Sequence, residues 1–173
     1  MNPKISVITA TRNRENTLNR VFDSLKKQTF KNFEWIVCDD ASNDNSLKLL
    51  RKFKKKANFK MRIFHFKQRA GKPKIDNYCV KKASGKFIIF ADSDDSFKKN
   101  SLLDFNNEWT KIPSEDEKKI FAIVSRVTTP SGKPLEKKLN FKEKSISLID
   151  LWNKYEKKKG KVAIFKKKYF IEV

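Results

Sequence analysis

The sequence predicts an α/β protein with a doubly wound, mainly parallel sheet flanked by helices. Three observations carry that expectation. Short apolar, β-branched runs recur at 4–9, 34–39, 61–66 and 87–91. Between them lie stretches whose apolar residues return at helical spacing. Each run also ends in a cluster of polar, capping and turn residues, so strand, loop and helix repeat as a unit, the pattern of a parallel sheet.

The first strand is KISVIT, residues 4–9, followed by the polar stretch ATRNREN. Leu18, Val21, Phe22 and Leu25 then recur at helical spacing up to Gln28, with Asn16 or Thr17 as the N-cap. EWIVCD at 34–39 is the second strand. Asp40 to Ser46 is rich in capping and turn residues ahead of Leu47, Leu50 and Phe53, the buried stripe of a second helix. A third strand at 61–66 leads through Gly71-Lys72-Pro73 to a helix at about 74–84, with Ser84-Gly85 as its C-cap. Phe87 to Ala91 is the fourth strand. Further on, Leu102, Leu103, Phe105 and Trp109 predict a helix, 111–119 a solvated connection and 120–128 a strand. A turn at 129–134, a helix near 147–158 and a strand near 161–166 complete the pattern.

Composition narrows the class. At 173 residues the chain is long enough for one domain with a core, and 38% hydrophobic residues suffice for a globular fold. The longest apolar stretches fall far short of the roughly 18–20 residues of a membrane span. Met1-Asn2-Pro3-Lys4 leads straight into the first strand without a signal-like apolar segment, so a cytoplasmic location is expected. Cys38 and Cys79 lack zinc-like spacing and read as reduced core residues. His65 falls in the alternating run MRIFHF and is given no role beyond its strand. The net charge of +21 suits nucleic acid, anionic lipid or a phosphorylated substrate. Its lysines are spread along the whole chain, as A/T-rich coding would also give, and most Phe and Trp sit at core spacing with no RNP-like strand, so nucleic acid is not the expected partner. A peripheral contact with the inner face of an anionic membrane is compatible with the charge.

In a doubly wound sheet, ligands sit at the carboxyl ends of the strands, and the polar segments 10–16, 40–46, 67–72 and 92–96 gather there. If Asp92-Ser93-Asp94 stays extended, the side chains of Asp92 and Asp94 share one side and Asp95 takes the other. Two facing carboxylates repel unless a cation lies between them, and Mg²⁺ or Mn²⁺, completed by phosphate oxygens, resolves the conflict. The plainer alternative is that Asp92 or Ser93 caps a helix and the other acids face water. In the Asp39-Asp40 pair, a carboxylate can accept from a ring N–H of a base. Ala10 to Asn13 offer backbone and small side chains to a planar ligand, and Arg69 and Lys72 can meet phosphate. Ordinary roles exist for each: Asp40 or Asp44 as a helix cap, Lys72 and Asn77 as solvated surface. Their convergence on one edge favours a nucleotide-diphosphate site with a divalent cation.

The chain resembles the family 2 glycosyltransferases of the GT-A fold. The resemblance lies in SVITATRNRENTLNRVFDSLKKQTFKNFEWIVCDDASNDNS at 6–46 and AGKPKIDNYCVKKASGKFIIFADSDD at 70–95, and it extends to about residue 105. It implies a single GT-A domain over 1–173, with a Rossmann-like nucleotide-sugar-binding half at 1–105 and the start of an acceptor-side half from 106. It further implies transfer of a sugar from a nucleotide-diphosphate donor, usually a UDP-sugar, to a polysaccharide or lipid-linked saccharide, with inversion at the sugar. Ala10, Thr11 and Asp40 would hold the base, Asn13, Lys72 and Asn77 would lie near the nucleotide, and Asp92 with Ser93 would meet the ribose or the metal-bound nucleotide. Asp94, with Asp92, would ligate Mn²⁺ or Mg²⁺. In similar proteins the catalytic base follows the sixth or seventh strand, so it is expected beyond Val173. Glu172 is a poor candidate, and Asp116, Glu117 and Asp150 lack a matching motif. A nucleotide-sugar-binding protein without a complete acceptor site is the alternative.

Overall fold

The computed structural model describes residues 3–117, 122–126 and 161–166, the last two segments by their backbone. Four parallel strands form the body of the sheet: β1 (Ile5–Thr11), β2 (Phe33–Asp40), β3 (Lys60–Phe66) and β4 (Phe87–Phe90). They are joined through α1 (Leu18–Lys26), α2 (Ser46–Lys56) and α3 (Lys72–Lys82). After β4 come α4 (Ser101–Thr110), the one-turn α5 (Ser114–Glu117), β5 (Ala122–Arg126) and β6 (Lys161–Lys166). The strand order is β3-β2-β1-β4-β6-β5, with β6 antiparallel to both β4 and β5. The doubly wound, mainly parallel sheet expected from the sequence is present. The connection expected at 111–119 is solvent-exposed at 111 and 113–115 and contains the one-turn α5. The turn at 129–134, the helix near 147–158, Asp150 and Glu172 lie outside the described residues, as do the side chains of Asp116 and Glu117.

Alternation along each strand divides the side chains between two layers. Ile5 and Val7 of β1, Phe33, Trp35 and Val37 of β2, and Phe87 and Ile89 of β4 pack with α1, α2 and α4 on one face. Ile8, Ile36, Cys38 and Ile88 meet Ile75, Cys79 and Val80 of α3 on the other. Strands sandwiched in this way must be apolar on both sides, which is why the runs read as continuous rather than alternating. On the first face Phe22 and Phe53 stack at 4.2 Å between ring centroids, and the fully buried Trp35 donates its indole N–H to Thr9 Oγ1 at 3.0 Å. Each large apolar side chain buried here stabilises by about 1.5–3 kcal/mol. Cys38 and Cys79 are free and buried, and a hydrogen bond between them, with burial, pushes the Cys38 thiol up.

At the amino edge of the sheet the fully buried Glu34 ties three segments together. Its Oε1 accepts from Ser6 Oγ at 2.8 Å and from the Ser84 amide at 2.7 Å, while Arg62 and Lys60 lie 3.5 and 3.6 Å from Oε2. Burial alone pushes this carboxyl up, but those hydrogen bonds and cations hold it below the usual carboxylate range. Gly85 completes the junction, its amide donating to Ser6 Oγ at 2.9 Å. Contrary to the sequence expectation, Gly85 is not a left-handed cap. Helix α3 ends at Lys82 with an extended Ala83, and the only glycine with positive φ among the described residues is Gly71. What requires glycine at 85 is space: an added Cβ would lie 2.6 Å from Ser6 N.

Two outcomes follow. Gly85→Ala should lose roughly 1–3 kcal/mol of stability, because the clash is with backbone that cannot give way; chemical denaturation measures it. Glu34→Gln should lose about 1–3 kcal/mol at neutral pH. The wild-type contribution is present above the unfolded carboxyl pKa of about 4.3 and fades as pH falls through the lower native value. The difference between the two proteins should therefore shrink in acid, as melting curves at pH 3 and pH 7 would register.

Candidate functional site

The carboxyl ends of β1 to β4 lie at one edge, and the winding reverses at β1, whose neighbours are β2 on one side and β4 on the other. Helices α1 and α2 cover one face and α3 the other, so a crevice is expected beyond β1, β2 and β4. Adjacent residues at the ends of β1 and β2 serve opposite sides of it.

On the α1/α2 side two loops interlock. The amides of Asn13, Arg14 and Glu15 donate in turn to Ser42 Oγ (2.9 Å), Ser46 Oγ (2.8 Å) and Asp44 Oδ2 (3.1 Å). The second loop answers: the amide of Asn43 donates to Asn13 Oδ1 (2.8 Å) and that of Asn45 to Glu15 Oε2 (2.7 Å). Thus Ser42, Asp44 and Ser46, the polar alternation that reads as a run of caps, are chiefly bonds between loops. Thr17, at the N-cap of α1, makes no side-chain cap bond. Asn13 and Ala41 adopt left-handed φ of 52° and 55° where the loops turn. Below them the fully buried Asp39 accepts from the Ser42 hydroxyl, from the Ser42 amide at 3.1 Å, and faces His65 Nδ1 at 3.0 Å. His65, which the sequence leaves as an ordinary strand residue, thereby touches the site. Thr11 Oγ1 and Arg12 Nε are buried here without a hydrogen-bond partner.

On the α3 side Asp40 grips the loop that opens α3. Its Oδ1 accepts from Ala70 N at 2.6 Å and its Oδ2 from Gly71 N at 3.0 Å, and Gly71, at φ 84°, turns the chain into the helix. Each oxygen keeps a further lone pair. One residue on, Lys72 Nζ lies 3.0 Å from Asp76 Oδ2 and 3.4 Å from Asp92 Oδ1. Burial works against the Lys72 charge, but Asp76 and Asp92 hold its pKa above the ordinary value. Asp76 is pushed up by burial and by Asp92, against the pull of Lys72, and its Oδ1 is buried with no hydrogen-bond partner. Asn77, exposed on the next position of α3, makes none of these contacts, and Arg69 is exposed in the preceding loop.

The acidic segment after β4 is a turn, not an extended strand: Asp95 N donates to Asp92 O at 3.1 Å and Asp92 N to Asp95 Oδ2 at 2.9 Å. Asp92 and Asp94 are exposed and Ser93 is buried between them, but the expectation that the two carboxylates share one side rested on an extended segment, and the turn removes that premise. Asp95 orients the loop, and burial with the charges of Asp92 and Asp94 raises its carboxyl above the usual range. Among the described residues no group of three or more His, Cys, Asp or Glu encloses a metal. The available donors are hard oxygens: Asp92 and Asp94, with the unpartnered Asp76 Oδ1 behind them. Two exposed carboxylates, Asp92 paired with Lys72 and Asp94 beside it in the turn, fit Mg²⁺ or Mn²⁺ that takes its other ligands from phosphate and water, not a protein cage. Asp76 is the member of this cluster the sequence analysis missed. Its spacing of four from Lys72 on one helix face was the available signal.

The family profile described as "Glycosyl transferase family 2" matches residues 6–170. Poly(ribitol-phosphate) beta-N-acetylglucosaminyltransferase TarS of Staphylococcus aureus is 38% identical over 104 residues, 58% of this chain and 18% of TarS. UDP-Glc:alpha-D-GlcNAc-diphosphoundecaprenol beta-1,3-glucosyltransferase WfgD of Escherichia coli is 35% identical over 98 residues, 57% of this chain and 38% of that protein. The crystal structure of S. aureus TarS 1-349 in complex with UDP-GlcNAc superposes with a TM-score of 0.76 at 27% identity, covering 98% of this chain and 47% of that one. The chain thus spans about half of that solved structure and less of the curated relatives.

Removing one side chain of the loop clasp should be felt in the fold. Asp44→Ala leaves the amides of Glu15 and Ser46 without acceptors, and roughly 1–2 kcal/mol of stability should be lost. Hydrogen exchange at those two amides should accelerate while the amides of β1 and β2 change only with global stability.

Proposed function

The chain belongs to glycosyl transferase family 2, and we propose that it supplies the donor side of a transfer from a nucleoside-diphosphate sugar, UDP-linked in particular, to a polysaccharide or lipid-linked saccharide. The observation that supports this reading best is the cluster of Lys72, Asp76 and Asp92 at the reversal point of the sheet, beside backbone already fixed by Asp39 and Asp40. An ammonium, exposed carboxylates and a loop-lined crevice are the groups a diphosphate with a divalent cation requires.

In this reading the base lies against Ala10, Thr11 and Asn13. The unshared lone pairs of Asp40 accept a ring N–H, and the unpartnered Thr11 hydroxyl and Arg12 Nε gain partners from the nucleotide. Lys72 meets the diphosphate, with Asn77 near the nucleotide, and Asp92 and Ser93 line the path to the ribose. Asp92 and Asp94 would hold Mg²⁺ or Mn²⁺. Such an ion, when bound, neutralises charge on the departing diphosphate as the anomeric carbon becomes oxocarbenium-like. With the diphosphate on one side of the sugar, an acceptor hydroxyl attacks from the other and inverts the centre. The base for that hydroxyl belongs to the acceptor side of the reaction and is assigned to none of the residues described above.

Calorimetric titration with UDP in the presence of Mn²⁺ tests the reading. The native chain should bind, and Asp94→Ala should bind at least about tenfold more weakly, a loss of about 1.4 kcal/mol. Equal metal-dependent binding by both proteins removes Asp94 from the site, and no binding of UDP by the native chain removes the donor assignment.

A further inference from the structure

We propose that Lys72 is a tethered counter-cation that keeps Asp92 closed to a divalent metal until a diphosphate draws its ammonium away, so that metal and nucleotide enter together. The inference rests on the donor site proposed above, and it follows from how three charges share one small space.

Lys72 lies between two carboxylates that could otherwise face a metal. Its ammonium is 3.0 Å from Asp76 and 3.4 Å from Asp92, and it rides over the ring of Phe90, 5.9 Å from the centroid, at the end of β4. The two contacts are unequal. Asp76 shares a helix with Lys72 and its side chain is only 19% exposed, whereas Asp92 sits on another loop and is 66% exposed. An exposed pair at the longer distance is the weaker one, so the contact with Asp92 is the one that opens. The backbone below does not follow, because Asp40 holds Gly71.

A divalent ion arriving alone must displace the ammonium from Asp92 and then tolerate a positive charge a few ångströms away. A diphosphate changes that balance by offering the ammonium new oxygens. Lysine suits the exchange: a point charge on a flexible four-carbon stem can swing from carboxylate to phosphate without a fixed fork geometry. Asp76 acts as a positioning residue, retaining the ammonium on α3 while Asp92 is released. By linkage, a diphosphate that removes Lys72 from Asp92 must raise metal affinity, and the metal must raise diphosphate affinity by the same factor.

The test is Mn²⁺ binding followed by electron paramagnetic resonance of the free ion, on the full chain, with and without saturating UDP. The native chain should bind Mn²⁺ alone at least tenfold more weakly than in the presence of UDP. Lys72→Met should bind Mn²⁺ alone at least tenfold more tightly than the native chain, with the gain from UDP correspondingly reduced. Lys72→Met combined with Asp92→Asn should lose the increase. Lys74→Met, which removes the same charge from an exposed position on the same helix, should stay within twofold of the native chain. The proposal is overturned if Lys72→Met leaves Mn²⁺ affinity unchanged, if Lys74→Met raises it equally, or if the double variant keeps the gain. Circular dichroism melts of each variant establish that the fold is retained. The metal-alone titrations decide the role of Lys72, and the UDP titrations decide the donor site, so each can fail separately.

Discussion

Two adjacent carboxylates at the end of β2 point to opposite faces of the sheet, and each half of the ligand edge is anchored to one of them. Asp39 holds Ser42 and meets His65 on the face covered by α1 and α2. Asp40 holds Ala70 and Gly71 on the face covered by α3. The pleat makes this division unavoidable, since neighbouring side chains on a strand cannot share a side. A one-residue slip of β2 against β1 would send each carboxylate to the wrong layer. Register is fixed by the apolar side chains below, Trp35 and Val37 on one face and Ile36 and Cys38 on the other. The site therefore depends on the core through sheet parity, not through loop sequence alone.

Much of this was legible because it rests on periodicity. The four parallel strands and their connecting helices announce themselves as β-branched runs and helical stripes, and the edge loops follow from the order of elements. What was not legible depends on distance between segments remote in sequence. Ser42, Asp44 and Ser46 carry the composition of helix caps, and Asp44 does accept from the Ser46 amide at the start of α2, but no local rule reveals that all three also accept from the amides of residues 13 to 15. Gly85 looks like a C-cap because it follows a helix, yet its necessity comes from Ser6, on a strand far away in sequence. Asp76 shows in the sequence only its spacing of four from Lys72, and the neighbour of the same sign, Asp92, reaches it from the loop after β4.

The net charge of +21 proved a poor guide to the site, which is built largely from acids. Lysines fill the last turns of α1, α2 and α3, at the amino edge of the sheet, where they complement the helix dipoles. The carboxylates Asp39, Asp40, Asp92, Asp94 and Asp95 gather at the other edge.

The reciprocal bonds between the β1–α1 and β2–α2 loops bear on the thermodynamics of recognition. Loops that line a crevice ordinarily surrender conformational freedom when a ligand arrives, and that loss subtracts from affinity. Here residues 13–15 and 42–46 surrendered it when the chain folded. A planar group that settled beside Thr11, as proposed above, would meet walls already at rest, and little of its contact energy would be diverted into ordering them.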